Sequence, residues 1–158
     1  MEITQQGIED VLQRLAETPQ RIKIATAGAT PAQLTDKADA KSWSVNEILA
    51  HLRACVDVWG ETIDRMLTED HPTLRHISPR TYMRKTDYAQ LPFVESWAVF
   101  VTERAALLET LQPLTPAQWS RSATIKERQH TVFSQARRMA LHEEGHCAQI
   151  EGLMAELR

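Results

Sequence analysis

Apolar residues recur along this chain at steps of three and four, and strand-like alternation is hard to find. Four helical segments follow from that pattern. The first spans about Ile3 to Ala27, with Ile8, Leu12, Leu15 and Ile22 on one face. Pro19 predicts a kink or a restart there, because proline suits a first turn and not a helix interior, and Gly28 predicts the stop. The second opens at Ser44: the run Ser44-Val45-Asn46-Glu47 has the form of a capping box. Val45, Ile48, Leu52, Cys55, Trp59, Ile63 and Met66 then mark one stripe that ends near Leu67.

The third helix covers about Leu91 to Leu111, with Phe93, Trp97, Phe100, Arg104, Leu107 and Leu111 on its stripe and Pro92 in its first turn. The fourth runs from about Thr131 to Leu157. Val132, Gln135, Met139, His142, His146, Gln149 and Leu153 fall on alternating steps of three and four, an a/d seam predicted to face the core. Four of those seven residues are polar, and two are histidine.

The connections refine the picture. Thr68 to Gln90, with Pro72 and Pro79, has the length of a crossover along a bundle and would leave helices two and three parallel. Thr30-Pro31-Ala32-Gln33 and Thr115-Pro116-Ala117-Gln118 repeat one tetrapeptide, each the opening of a short capped helical turn. The chain of 158 residues reads as a single all-α domain, a four-helix bundle over residues 1–158.

Charge and composition narrow the partners. The net charge of −3 argues against wrapping nucleic acid. The longest purely apolar run, Trp97 to Val101, is far shorter than the ~18 residues a membrane span needs. The start MEITQQGIED lacks the basic and apolar stretches of a signal peptide, so a cytoplasmic protein with free thiols at Cys55 and Cys147 is expected.

The candidate chemistry lies in the histidines. His142 and His146 are four residues apart and so project from one helix face, where two imidazoles can share a metal ion. The string His142-Glu143-Glu144-Gly145-His146 also matches a zincin helix, but the residues downstream supply no third histidine. The third ligand must come from upstream, and His51, at the margin of the second helix's apolar face, is the best candidate. The competing reading is three histidines buried as ordinary core polar residues.

Glu143 is the candidate catalytic residue, a general base beside the metal, although its rotation of about 100° from His142 also fits a solvent-facing or supporting place. Gln149, one turn past His146, fits either orientation of a ligand or a bond across the core, and the second is the expectation. Cys55 reads as a small buried residue that stands where a fourth ligand could. Arg75, Arg80, Arg84 and Lys85 read as a solvated basic loop, and His71, His76 and His130 as surface residues.

Two stretches resemble a known family. Trp43-Ser44-Val45-Asn46-Glu47-Ile48-Leu49-Ala50-His51-Leu52 resembles the signature that opens helix two of DinB-like (YfiT-like) proteins, and His142-Glu143-Glu144-Gly145-His146-Cys147-Ala148-Gln149-Ile150 resembles their helix-four motif. The resemblance implies an up-down-down-up four-helix bundle, often a homodimer, with a divalent metal, usually zinc or nickel, on His51, His142 and His146. It implies a metal-dependent enzyme acting on a small molecule, by hydrolysis or by transfer with a low-molecular-weight thiol. The alternative is a stress-related metal-binding protein without catalysis.

Overall fold

The computed structural model describes residues 2–157. In chain order the elements are α1 (Gln5–Thr26), α2 (Pro31–Thr35), α3 (Val45–Thr68), β1 (Thr73–Leu74), α4 (Pro79–Arg84), a 3-10 turn (Tyr88–Gln90), α5 (Phe93–Leu111), α6 (Pro116–Trp119), β2 (Ser122–Ile125), β3 (Arg128–Thr131) and α7 (Val132–Glu156). The long helices α1, α3, α5 and α7 form a bundle in up-down-down-up order. α7 packs on α1 and α3, and α5 packs on the same two helices from the other side. That arrangement makes α3 and α7 neighbours, as a shared histidine site requires.

The helix starts obey their capping chemistry. The Ser44 hydroxyl accepts from Glu47 N and the Glu47 carboxylate accepts from Ser44 N, which satisfies two orphan donors at the head of α3. The two repeated tetrapeptides do the same at α2 and α6. Gly28, with φ of +76°, takes the left-handed turn beyond α1 at no steric cost. Asn46 donates its amide to the carbonyls of Ala89 and Leu91, tying the end of the crossover to the first turn of α3.

Three expectations need correction. α1 runs through Pro19 without a break. Proline removes the N–H that Leu15 O would accept, and the buried Arg104 guanidinium replaces that donor at 2.8 Å. Strands are present too, in a three-stranded sheet: β1 pairs parallel with β2, and β2 pairs antiparallel with β3. Strands of two and four residues are too short for alternation to stand out in a sequence. The hairpin turn places Lys126 and Glu127 at φ of +50° and +63°, a left-handed pair that usually calls for Asn-Gly. Arg121 locks this sheet to the bundle by donating to the carbonyls of Met66 and Glu69.

The third correction concerns α7. Its fully buried line beyond Met139 is Ala140, Glu143, Cys147, Ile150 and Met154, while His142 and His146 are half-buried and Gln149 is exposed. The histidine stripe therefore lies on the flank of the core that faces α3, one step round from its centre.

Candidate metal centre

Three elements of local structure aim the histidines at one point. His51 is carried by the second turn of α3, whose start is fixed by the Ser44 cap, and it is buried. His142 and His146 project from adjacent turns of α7. His142 Nε2 lies 3.2 Å from His51 Nε2 and 3.1 Å from His146 Nε2. The three imidazoles form a group whose ligand atoms are all within 4.8 Å of one another, and among the described residues no carboxylate joins it.

These distances suit a metal ion. Ligand nitrogens at 2.0–2.1 Å from an ion stand about 2.8–3.0 Å apart in octahedral and about 3.3–3.4 Å apart in tetrahedral geometry, and the observed separations fall between. Without an ion, three ring nitrogens that converge cannot all find donors among themselves, since each neutral ring carries one N–H. Burial, followed by the neighbouring imidazoles, pulls the pKa of His51 down to about 3 and that of His142 down to about 4. Both rings are therefore neutral near pH 7, the protonation state a metal needs.

The surroundings hold the rings in place. Gln149 Oε1 stands 2.9 Å from His146 Nδ1, so it accepts the Nδ1–H and leaves the Nε2 lone pair facing the centre. This corrects the expectation that Gln149 bonds across the core. Trp43 lies over His51 with ring centroids 4.8 Å apart, and Trp59 meets His142 edge-on at 5.1 Å. Cys55 Sγ approaches His51 Nε2 at 3.6 Å, and burial pushes its thiol well above the ordinary cysteine range, so it remains neutral. Arg80 from α4 lies over the ring of Trp43 at 4.9 Å, and Arg138 over that of Trp59 at 5.1 Å.

The family follows from the whole chain as well as from this cluster. A profile of the DinB superfamily matches residues 14–150, a span that contains all three histidines. The chain belongs to the DinB superfamily. Its fold is similar to that of YfiT from Bacillus subtilis, a probable metal-dependent hydrolase with an unusual four-helix bundle topology. That likeness has a TM-score of 0.86 at 21% sequence identity and covers 99% of this chain and 90% of that one. No curated protein sequence matches the chain.

Within this DinB-superfamily fold, Glu143 is not where the sequence reading put it. Its side chain is fully buried and is bound twice by Arg104, at 2.8 and 2.5 Å, while Thr18 donates to it at 2.8 Å. A carboxylate engaged in this way is not a free base beside the metal. The signal was present on helix three: Arg104 occupies an apolar stripe, and a buried guanidinium demands a buried counter-charge. Arg138 was the residue missed outright. Its position four residues before His142 places it one turn along the same face. Among the surface histidines, His71 bonds the hydroxyls of Ser122 and Thr124, whereas His76 and His130 line a cavity.

Proposed function

We propose that the protein is a divalent-metal-dependent enzyme acting on a small molecule, with His51, His142 and His146 as the ligands. The convergence of three imidazole Nε2 atoms, one of them set by Gln149, carries this reading. Three neutral ligands fit zinc or nickel and leave other coordination positions for a substrate. When bound, such an ion supplies Lewis acidity and lowers the proton affinity of a water or thiol ligand.

The chain's own groups favour anionic reactants. Among the described residues no carboxylate joins the centre, and Arg80 and Arg138 stand on the tryptophans that wall it. Hydrolysis and thiol-dependent transfer both use that electrostatic setting, and what is said of YfiT favours hydrolysis. A homodimeric protein working in the cytoplasm completes the proposal.

The test is elemental analysis of untagged protein purified without chelator, followed by titration with zinc and nickel. One equivalent per chain is expected. His146→Ala should abolish stoichiometric uptake while the helical circular dichroism is retained. A protein that takes up neither metal would reduce the histidines to core polar residues. A protein that binds metal but turns over no ester, amide or thiol–electrophile pair would favour metal binding without catalysis.

A further inference from the structure

A second site begins one turn from the histidines along the same α3–α7 seam. A cavity of about 460 Å³ opens there, the size that holds a small organic ligand. The floor is Trp59 and Val58 of α3, and the far wall is the small sheet, through Leu74 and Ile125. Trp59 belongs to both places, since its ring also meets His142.

Charge gathers round this apolar floor. Arg65, Arg75, Lys126, Arg128 and Arg138 line the cavity against one carboxylate, Glu61, although the chain as a whole is acidic. Arg65 is paired with Glu69. The other four cations form no ion pair among the described residues. Lys126 reaches the wall from a hairpin turn held in left-handed geometry, and strained turns of this kind persist where the fold fixes a side chain.

One buried group points to a ligand independently of charge. Gln135 lines the cavity, is 3% exposed, and its Oε1 has no hydrogen-bond partner among the described residues. A buried amide oxygen left without a donor costs on the order of a lost hydrogen bond, and a ligand N–H or O–H would satisfy it.

We propose that this cavity binds a small organic anion: an oxyanion held by Arg138, Arg128, Lys126 and Arg75, an apolar body on Trp59, and an N–H or O–H donated to Gln135 Oε1. The oxyanion is a carboxylate or a phosphate. An apolar body on Trp59 would rest on the ring that also meets His142, which makes the cavity the candidate pocket for the non-reacting part of the substrate. That last role rests on the proposed metal-dependent activity; the anion binding itself does not.

The probe is 8-anilinonaphthalene-1-sulfonate, which carries a sulfonate, an N–H and an apolar body, titrated by fluorescence into folded, metal-free protein. One saturable site per chain is expected, weakened several-fold by raising the salt from 0.05 to 0.3 M. Arg138→Ala and Lys126→Ala should each raise Kd about fivefold or more, and Gln135→Leu likewise. Lys126 is on an exposed turn, so its variant keeps the fold if Gln135→Leu does not. Arg137→Ala, one residue off the cavity, should change nothing. Naphthoate and naphthyl phosphate, as competitors, identify the preferred oxyanion.

Absence of a saturable site, or binding that ignores both Arg138→Ala and Lys126→Ala, would overturn the proposal. Repeating the titration on His146→Ala separates the two readings. Retained probe binding there supports the anion site whatever the fate of the metal centre, and its loss there would overturn the proposal of a distinct anion site.

Discussion

His142 and Glu143 are neighbours in sequence and belong to two different polar clusters. Glu143 turns into the core, where Arg104 and Thr18 meet it, and the same guanidinium also fills the Leu15 carbonyl that Pro19 leaves open. His142 turns toward α3, where its Nε2 meets the other two imidazoles and its Nδ1 approaches the neutral Cys55 thiol at 3.9 Å. The first cluster is closed around its carboxylate: charge is matched and each Glu143 oxygen has a donor, with Arg104 Nε alone of its groups lacking a partner among the described residues. The second is open: among the described residues no carboxylate joins it, and His51 Nδ1 is buried without a partner. A closed buried network holds helices together. An open one, costly to bury for no structural gain, marks a place where something else binds.

The sharpest way to break the comparison is to remove the closed pair. Glu143→Ala strands a buried guanidinium and should lower the unfolding free energy by about 3–5 kcal/mol in urea titrations. The double substitution Arg104→Met with Glu143→Leu should recover only part of that loss, because the Leu15 carbonyl then lacks the donor that Arg104 supplied. Zinc uptake by the folded Glu143→Ala protein should match the parent, and loss of uptake would return Glu143 to the metal centre.

A milder change should act on the open cluster alone. Gln149→Ala frees the His146 ring and should weaken metal affinity about 10–100-fold, because outer-shell partners fix ligand tautomers. Gln149 is exposed, so the metal-free protein should keep its stability within about 0.5 kcal/mol. An unchanged affinity would show that the Gln149 contact does not position the ring.

The most gradual effect is a slope with pH. His51 and His142 have folded-state pKa values lowered to about 3 and about 4, below the ordinary 6.5. The unfolded chain therefore takes up protons first as the pH falls below 6.5, and the stability of the metal-free protein must fall with it. The slope is at most about 1.4 kcal/mol per pH unit for each histidine. Urea titrations at pH 7, 6 and 5 read it before most carboxylates titrate. His51→Gln should flatten its share, and a flat profile in the parent would mean that the rings are not desolvated.

Much of this molecule was legible in one dimension. Apolar spacing located the four long helices within a few residues, because each buries a stripe whose period is set by helix geometry. The boxes at Thr30, Ser44 and Thr115 were legible because capping is a local bond between residues three apart. The histidine pair was legible for the same reason, and His51 because its helix turns one margin toward α7.

What the spacing could not show depends on partners far away in sequence. Pro19 kinks nothing because Arg104, brought from another helix, supplies the missing donor. The β2–β3 hairpin is local, but β1 joins it only because residues about 50 apart pair, and the sheet so formed gives the second cavity its far wall. The one-residue rotation between a core-facing and an α3-facing histidine stripe on α7 moved Glu143 inward and put Gln149 on His146. Helical period and end chemistry are properties of neighbouring residues, so the sequence by itself determined the helices, their caps and the histidine pair. The tertiary structure decided which polar groups close on each other and which remain open to a ligand, because burial and counter-charge exist only once the helices have packed.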